Sequence, residues 1–352
     1  MKSVPWPRRI GQGAAAQLAG VLHRVDGIAA AARTARRPLA DGALDAAPDA
    51  VFAAVTHWRP EGPEDHLRLR LACLGRCLDG LLDMNVDRVV VAVITNAPEA
   101  TAATLREHRR GRDDTVPVRT VDRMPEGDWA GPREVLAVRW HPRRWHRRGD
   151  YLPWAHVPLL RRAAESERFS HLLYLEDDLL FEDSHLRFWC RYRKPLAALG
   201  LIPGFTLFEW LGRERILVGV VTPVDPVVRR QRIPGDYPGL CSHVVNLENP
   251  YQAFYVLDRA LAAEHFSRPR SALRSRAAMS VPLGVRERAA AGPLFYHVPP
   301  GLKSRNVVPV LIEGGRQRLD PECLVEHLPG NYSRDPGSAF GSLKLDDLFT
   351  DG

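Results

Sequence analysis

Lysine is almost missing from this chain. Lys2, Lys194, Lys303 and Lys344 are the only four among 49 basic residues, so the formal charge of +7 is carried by arginine. Alanine, proline and glycine are abundant, as in chains from GC-rich genomes, and compositional drift explains part of the basicity. The remainder suits a polyanionic substrate or an anionic membrane surface. Nucleic acid is not expected as a partner, because no recognisable binding motif accompanies the charge. Cysteine is scarce and odd in number (Cys73, Cys77, Cys190, Cys241 and Cys323), with no CxxC pair or Cys/His cluster. A disulfide framework and a zinc site are thereby excluded, and a reduced, cytoplasmic compartment is the expectation. Cys73 and Cys77, one helical turn apart, read as core. No apolar run of about 20 residues spans a membrane, and no signal peptide is visible. The GxxxxGK[ST] loop, the GxSxG elbow and the HExxH helix are all lacking. Gly11-Gln12-Gly13-Ala14-Ala15-Ala16 matches the GxGxxA fingerprint. The residues before it, Val4-Pro5-Trp6-Pro7-Arg8-Arg9-Ile10, do not form the buried strand that fingerprint needs.

The chain does have length and alternation. Its 352 residues suffice for one large α/β domain or two small ones. Residues 1–50 stand apart as an Ala/Arg-rich arm or helix, with apolar positions spread through 14–37, which leaves peripheral membrane contact open. From residue 51 strands and helices alternate: strand 51–56, helix 67–84, strand 89–95, a helix to about 110, and strand 116–121. Residues 122–150 read as a loop rich in Trp, His and Arg, followed by a helix over 151–166. Such alternation predicts an α/β fold with a mostly parallel sheet flanked by helices. Beyond residue 184 the chain turns irregular and mixed. A helix over 185–199 capped by Asp183 or Ser184, strands at 216–222, 252–257 and 307–312, and a helix over 259–266 are expected there. The resulting division is an arm to residue 50, one domain over 51–335 split near 183/184, and a tail over 336–352.

One stretch organises the rest: His171-Leu172-Leu173-Tyr174-Leu175-Glu176-Asp177-Asp178-Leu179-Leu180-Phe181. An apolar run climbs to three consecutive carboxylates and turns apolar again. Leu, Tyr and Leu suit a buried parallel strand, and the carboxyl end of such a strand is where open α/β sheets bind ligands. Three adjacent carboxylates repel one another. A hard divalent cation such as Mg²⁺ or Mn²⁺ is the simplest compensation.

Glu176-Asp177-Asp178, with the alternating region before it and an aromatic-rich helix after it, resembles the acidic metal motif of GT-A-fold glycosyltransferases. The resemblance covers roughly residues 51–327 and implies a GT-A-like, Rossmann-like fold. It further implies a nucleotide-sugar donor, a carbohydrate, lipid-linked or small-molecule acceptor, and Mn²⁺ or Mg²⁺. It gives direct metal binding to Asp178 and places Glu176 and Asp177 nearer the ribose and donor sugar. His327, before a Pro-Gly turn, resembles the C-terminal histidine that often serves as a further metal ligand. For a catalytic base, the matching position is Glu287, although the arginines on either side count against a strong base there. Glu209 in Phe205-Thr206-Leu207-Phe208-Glu209-Trp210 is the rival, since an apolar setting raises a carboxyl toward neutrality. Thr56, His57 and Arg59, at the end of the first strand, would meet the donor, as would Asn96 after the second. His156 and Arg305 would line the donor pocket or hold its diphosphate, and Asn249-Pro250-Tyr251 suits stacking on a sugar ring. The alternatives are a nucleotidyltransferase of related fold and a non-catalytic carbohydrate- or partner-binding protein. Against the nucleotidyltransferase, His57-Trp58-Arg59-Pro60 stands where its glycine-rich, lysine-bearing loop would be.

Overall fold

A computed structural model describes residues 48–59, 63–110, 112, 116–122, 131–141, 149–224, 230–233, 239–247, 249–267, 283–313, 316–335 and 337–349. Of the expected arm only residues 48–50 fall among them, and Ala50 already belongs to the first strand; the Gly11–Ala16 fingerprint lies outside. In chain order the first half runs β1 (Ala50–His57), α1 (Glu64–Leu82), β2 (Arg88–Thr95), α2 (Pro98–Arg110), β3 (Val118–Val121) and β4 (Arg133–Arg139). A 3₁₀ turn (Gly149–Ala155), α3 (His156–Glu165) and β5 (His171–Glu176) follow. The second half holds β6 (Leu179–Leu180), α4 (Asp183–Ala197), β7 (Ile202–Pro203), β8 (Thr206–Leu211), β9 (Glu214–Val218), β10 (Arg230–Arg232) and β11 (His243–Val245). It closes with β12 (Phe254–Asp258), α5 (Arg259–Phe266), α6 (Val285–Ala289), β13 (Asn306–Glu313), β14 (Arg316–Leu319) and β15 (Leu324–His327).

The main sheet has six strands in the order β12-β5-β1-β2-β4-β3, parallel except for β12, which runs against β5. Helices flank it, α3 on β1 and β5, α1 on β2, α2 on β3 and β4. The expected α/β class with a mostly parallel sheet is therefore observed. Every residue of β1 is buried, and β2 is buried from Val89 to Thr95. These are the apolar runs of strands covered on both faces. The chain steps from β1 to β2 and β4 in one direction, then returns to place β5 on the other side of β1. The boundary between β1 and β5 is a topological switch point, and the acidic turn leaves β5 at its carboxyl edge.

Two smaller mixed sheets complete the molecule. In one, β6 pairs antiparallel with β15, β15 parallel with β8, and β8 antiparallel with β9. The other runs β10-β11-β13-β14, with β7 beside β13. Phe181, directly after β6, meets Phe254 of β12 at 5.3 Å and Phe205 at 5.7 Å between ring centroids. This aromatic packing fixes the small β6 sheet against the main one and the acidic turn between them.

Several boundaries differ from the sequence reading. The expected loop over 122–150 contains β4, whose Val135, Leu136, Ala137 and Val138 are buried between β2 and β3. Its terminal arginines disguise a four-residue apolar centre. The helix expected over 151–166 begins only at His156, after a 3₁₀ turn containing Pro153, which lacks the N–H a helix interior needs. The cap of α4 is Glu182, not Asp183 or Ser184: the Glu182 N–H donates to His185 Nδ1 at 2.8 Å, completing a capping box. All five cysteines are free thiols. Among the described residues no helix is long and apolar enough to cross a membrane.

Candidate active site

β5 ends at Glu176, and the chain turns through Asp177 and Asp178 into β6. All three acids are buried, so each carboxylate needs a partner or a counter-charge. Glu176 accepts from the Tyr251 hydroxyl at 2.9 Å and from Arg286 Nη2 at 2.6 Å. Asp177 accepts from His57 Nδ1 at 2.5 Å and from Arg70 Nη2 at 2.6 Å. Asp178 Oδ2 lies 3.5 Å from Arg70 Nη1 and 3.7 Å from His327 Nε2, the latter an ion pair too long for a hydrogen bond. Asp178 Oδ1 is buried and has no hydrogen-bond partner. Burial raises the Glu176 carboxyl above its ordinary range despite Arg286. For Asp178 burial pushes the same way, but the neighbouring His327, Arg70 and Arg286 outweigh it and hold the carboxyl below the usual range.

His327 arrives from the second sheet. The register of β15 against β6 sets it opposite Leu179, next to the acidic turn, and the Leu328 N–H donates to the Asp178 carbonyl at 2.8 Å. Glu209 of β8 lies behind it. His327 Nδ1 donates to Glu209 Oε1 at 2.6 Å, while Glu209 Oε2 accepts from the backbone N–H groups of Tyr332 at 3.0 Å and Ser333 at 2.6 Å. Burial alone would lower the basicity of His327, yet the carboxylates of Asp178 and Glu209 raise its pKa to about 9. The expectation that an apolar setting raises Glu209 is corrected. Burial does push it up, but His327 and the Ser333 N–H outweigh that and lower it. Glu209 is an ionised anchor for the imidazole, with both oxygens already engaged.

Other expected site residues divide into those at the switch point and those elsewhere. Thr56 sits opposite Glu176 in the β1–β5 register, its hydroxyl bonded to that of Tyr174 at 3.1 Å. His57 is fully buried, with Nε2 lacking a partner. Asn96 clasps the Arg59 main chain, accepting from its N–H at 2.9 Å and donating to its carbonyl at 3.0 Å. The Arg59 Nη1 is buried without a partner. His156 is not on a pocket wall. It is fully buried, donating from Nδ1 to the Pro153 carbonyl and accepting the Tyr255 hydroxyl at Nε2 (2.5 Å). Arg305 is also held away from the acidic turn, where it grips both Glu264 oxygens at 2.9 and 3.0 Å and the Gly200 carbonyl at 2.9 Å. Glu287 folds back over Gly284 at the start of α6, so close that a side chain at 284 would collide with it.

Arg70, Arg286 and Tyr251 at the acidic turn were not selected as site residues by sequence reasoning. Tyr251 fell in the stretch expected to stack on a sugar; its hydroxyl instead orients Glu176. Arg286 adjoins the nominated Glu287, and only the helical turn of α6 decides which of the two faces the acids. Trp58 and Trp140, 5.9 Å apart edge to face, follow β1 and β4 at the same carboxyl edge.

Among the described residues no cluster of three or more His, Cys, Asp or Glu side chains forms a ready metal cage. The fit is a two-donor one. Asp178 offers an unpartnered buried oxygen, and His327 offers Nε2 from an imidazole whose other nitrogen is bonded to a carboxylate, the arrangement that orients metal-ligating histidines. A hard cation would take its remaining ligands from water and substrate oxygen.

No protein-family model matches the chain, and no curated protein matches it. Among solved structures it is similar to the 4-diphosphocytidyl-2C-methyl-D-erythritol synthase of Anaerococcus prevotii. Identity is 10%, coverage is 63% of this chain and 77% of that chain, and the TM-score is 0.24.

Proposed function

We propose that this chain is a metal-dependent glycosyltransferase of GT-A-like fold, moving a sugar from a nucleotide-diphosphate donor to a carbohydrate, lipid-linked or small-molecule acceptor. One observation carries the reading: a buried acidic turn at the β1–β5 switch point, with Asp178 Oδ1 left without a partner beside an oriented His327. A lone buried carboxylate oxygen costs about 1–3 kcal/mol unless something occupies it. Asp178 and His327 would hold the cation. Bound there, a divalent ion would supply Lewis-acid neutralisation of the departing nucleoside diphosphate.

The chain's own residues prepare that position. Glu209 holds the Nδ1–H of His327 and so aims Nε2 toward Asp178, where the Nε2 proton would give way to a cation. Tyr251 and Arg286 hold Glu176, and His57 and Arg70 hold Asp177, so the turn keeps its geometry before any ligand arrives. The parallel strands carry Thr56 and His57 to the same edge, where the donor is expected to lie.

The test combines ligand binding with turnover. Nucleotide sugars screened by thermal shift with and without Mn²⁺ should include one that raises the melting temperature by mass action. That donor should be slowly hydrolysed to nucleoside diphosphate, and Asp178→Asn should cut this release by roughly 100-fold or more. Undiminished turnover in excess chelator, or full activity of the variant, overturns the metal reading. Pyrophosphate release from a nucleoside triphosphate plus a sugar phosphate would identify a nucleotidyltransferase instead.

A further inference from the structure

Two guanidinium groups reach the acidic turn from separate elements. Arg70, on α1, bonds Asp177 closely at 2.6 Å and Asp178 loosely at 3.5 Å. Arg286, on α6, bonds Glu176 through Nη2 at 2.6 Å. The two arginines are near enough for the charge of Arg286 to act on Arg70, and both act on Asp178. Arg286 is the more exposed of the two, Arg70 being 19% exposed. The Arg286 side chain is 46% exposed, whereas its Glu176 partner is 8% exposed. A guanidinium carries five N–H donors in a planar fork matched to carboxylate and phosphate oxygen alike. Arg286 spends one terminal nitrogen on Glu176, so the other donors of its fork are not committed to that bond.

Charge decides what this arrangement can receive. A diphosphate entering beside three carboxylates and Glu209 meets strong repulsion unless cations face it. Arg305 bonds Glu264, and among the described residues Arg70 and Arg286 are the arginines bonded to the turn. A divalent ion on Asp178 would meet the Arg70 contact to that carboxylate and the positive charge of both arginines. Resting on the reading of the acidic turn as a donor site, we propose that Arg70 and Arg286 are a diphosphate-binding pair, held on the acidic turn without ligand and transferred to the diphosphate of a nucleoside diphosphate when a divalent cation occupies the carboxylates. The loose Arg70–Asp178 contact is the first to be exchanged.

The exchange makes the two ligands respond with opposite signs. Removing Arg286 takes away a positive charge that acts on Asp178, so Mn²⁺ alone binds tighter, while the diphosphate loses a charged partner and binds more weakly. A residue that merely props up the fold would weaken both. The experiment uses the full chain as wild type, Arg286→Ala and Arg70→Lys, with circular dichroism and melting curves to confirm folding. Mn²⁺ binding is read from the electron paramagnetic resonance signal of free ion. UDP, GDP, ADP, CDP and inorganic pyrophosphate are titrated calorimetrically with and without Mn²⁺. In Arg286→Ala the best nucleoside diphosphate and pyrophosphate should both weaken by about tenfold or more, and Mn²⁺ alone should bind several-fold tighter. Arg70→Lys should weaken both diphosphates although its charge is kept, because the planar fork is lost. If wild type binds Mn²⁺ and a nucleoside diphosphate but Arg286→Ala binds the diphosphate equally well, the exchange is wrong and the donor-site reading stands. The exchange is also wrong if Mn²⁺ and diphosphate weaken together in Arg286→Ala, or if its pyrophosphate affinity is unchanged. Wild type binding neither Mn²⁺ nor any diphosphate removes both proposals.

Discussion

Glu209 shows how a single residue's role follows from its partners. Its neighbours in sequence are apolar, which suggests a carboxyl kept neutral as a base. In the fold three N–H donors converge on it, from His327, Tyr332 and Ser333. Replacing it by alanine strands all three in a buried site and should destabilise by about 2–4 kcal/mol. Glutamine restores an acceptor without the charge and should cost less. Urea unfolding distinguishes them, through a midpoint shift at constant slope, and equal losses would refute the converging-donor account. In Glu209→Gln, Mn²⁺ affinity should also drop by roughly 10- to 100-fold, since an orienting carboxylate behind a ligand histidine has that influence. At this scale the sequence made Asp178 and His327 legible as partners, through the strand before the one and the turn after the other. Arg70 was not legible, because 107 positions separate it from Asp177 and no local pattern predicts that contact. Arg286 was missed by one residue. Successive helical residues diverge by about 100°, enough to send Glu287 back over Gly284 while Arg286 reaches Glu176.

Among elements, those with one clear periodicity were legible and those interrupted by charge were not. β1, β2 and β5 are unbroken apolar runs, and α1 shows its leucines at helical spacing. β4 is framed by arginines, and β8 hides Glu209 between Phe208 and Trp210, so neither presents a clean strand pattern. The short β6 and β15 depend on each other across the fold, which no local signal encodes. Their packing yields a prediction in which two effects compete. Gly80 lies inside α1, where alanine is favoured over glycine by about 1 kcal/mol on propensity alone. A Cβ at that position, however, would come within 2.6 Å of the Phe181 carbonyl oxygen. The obstacle is backbone immediately beyond the acidic turn and cannot swing aside as a side chain would. Overpacking typically costs about 1–3 kcal/mol, so Gly80→Ala should lower the melting temperature and weaken Mn²⁺ binding together. A melting temperature at or above wild type would show that α1 and the turn move apart freely.

Across the whole molecule, buried histidines couple the fold to pH. His156, His171 and His265 are buried at 0%, 3% and 4% exposure. Burial, the largest cause in each case, lowers their pKa values from 6.5 to about 3, about 4 and about 3, respectively. In the unfolded chain each takes up a proton below about pH 6.5. The folded chain refuses it until near pH 4 or 3. Burial lowers His185 as well, so the unfolded state binds up to four more protons, and stability should fall as pH falls, by about 1.4 kcal/mol per pH unit for each histidine that titrates only on unfolding. His327 adds no slope on the acid side: its pKa is raised to about 9, so its stabilisation is complete below 6.5 and declines as pH rises from 6.5 to 9. Asp178 and Glu209, both lowered, add their loss at lower pH still. Stability should thus be greatest near pH 6.5, decline toward pH 9 through His327 and drop more steeply once pH passes below roughly 6, where several histidines act together. His265 provides the internal control. Both of its ring nitrogens are buried without hydrogen-bond partners, and the ring stacks on Tyr296 at 5.7 Å. Phenylalanine keeps a planar ring there without the unsatisfied nitrogens, so His265→Phe should be neutral or stabilising at pH 7. It should also reduce the acid slope, by about 1.4 kcal/mol per pH unit, since one of the four histidines lowered by burial is gone. Urea titrations of both proteins from pH 7.5 to about 4.5 give the slopes directly. A flat profile between pH 7 and 5 in wild type, or an unchanged slope in the variant, would show that these histidines admit water and titrate normally in the folded chain.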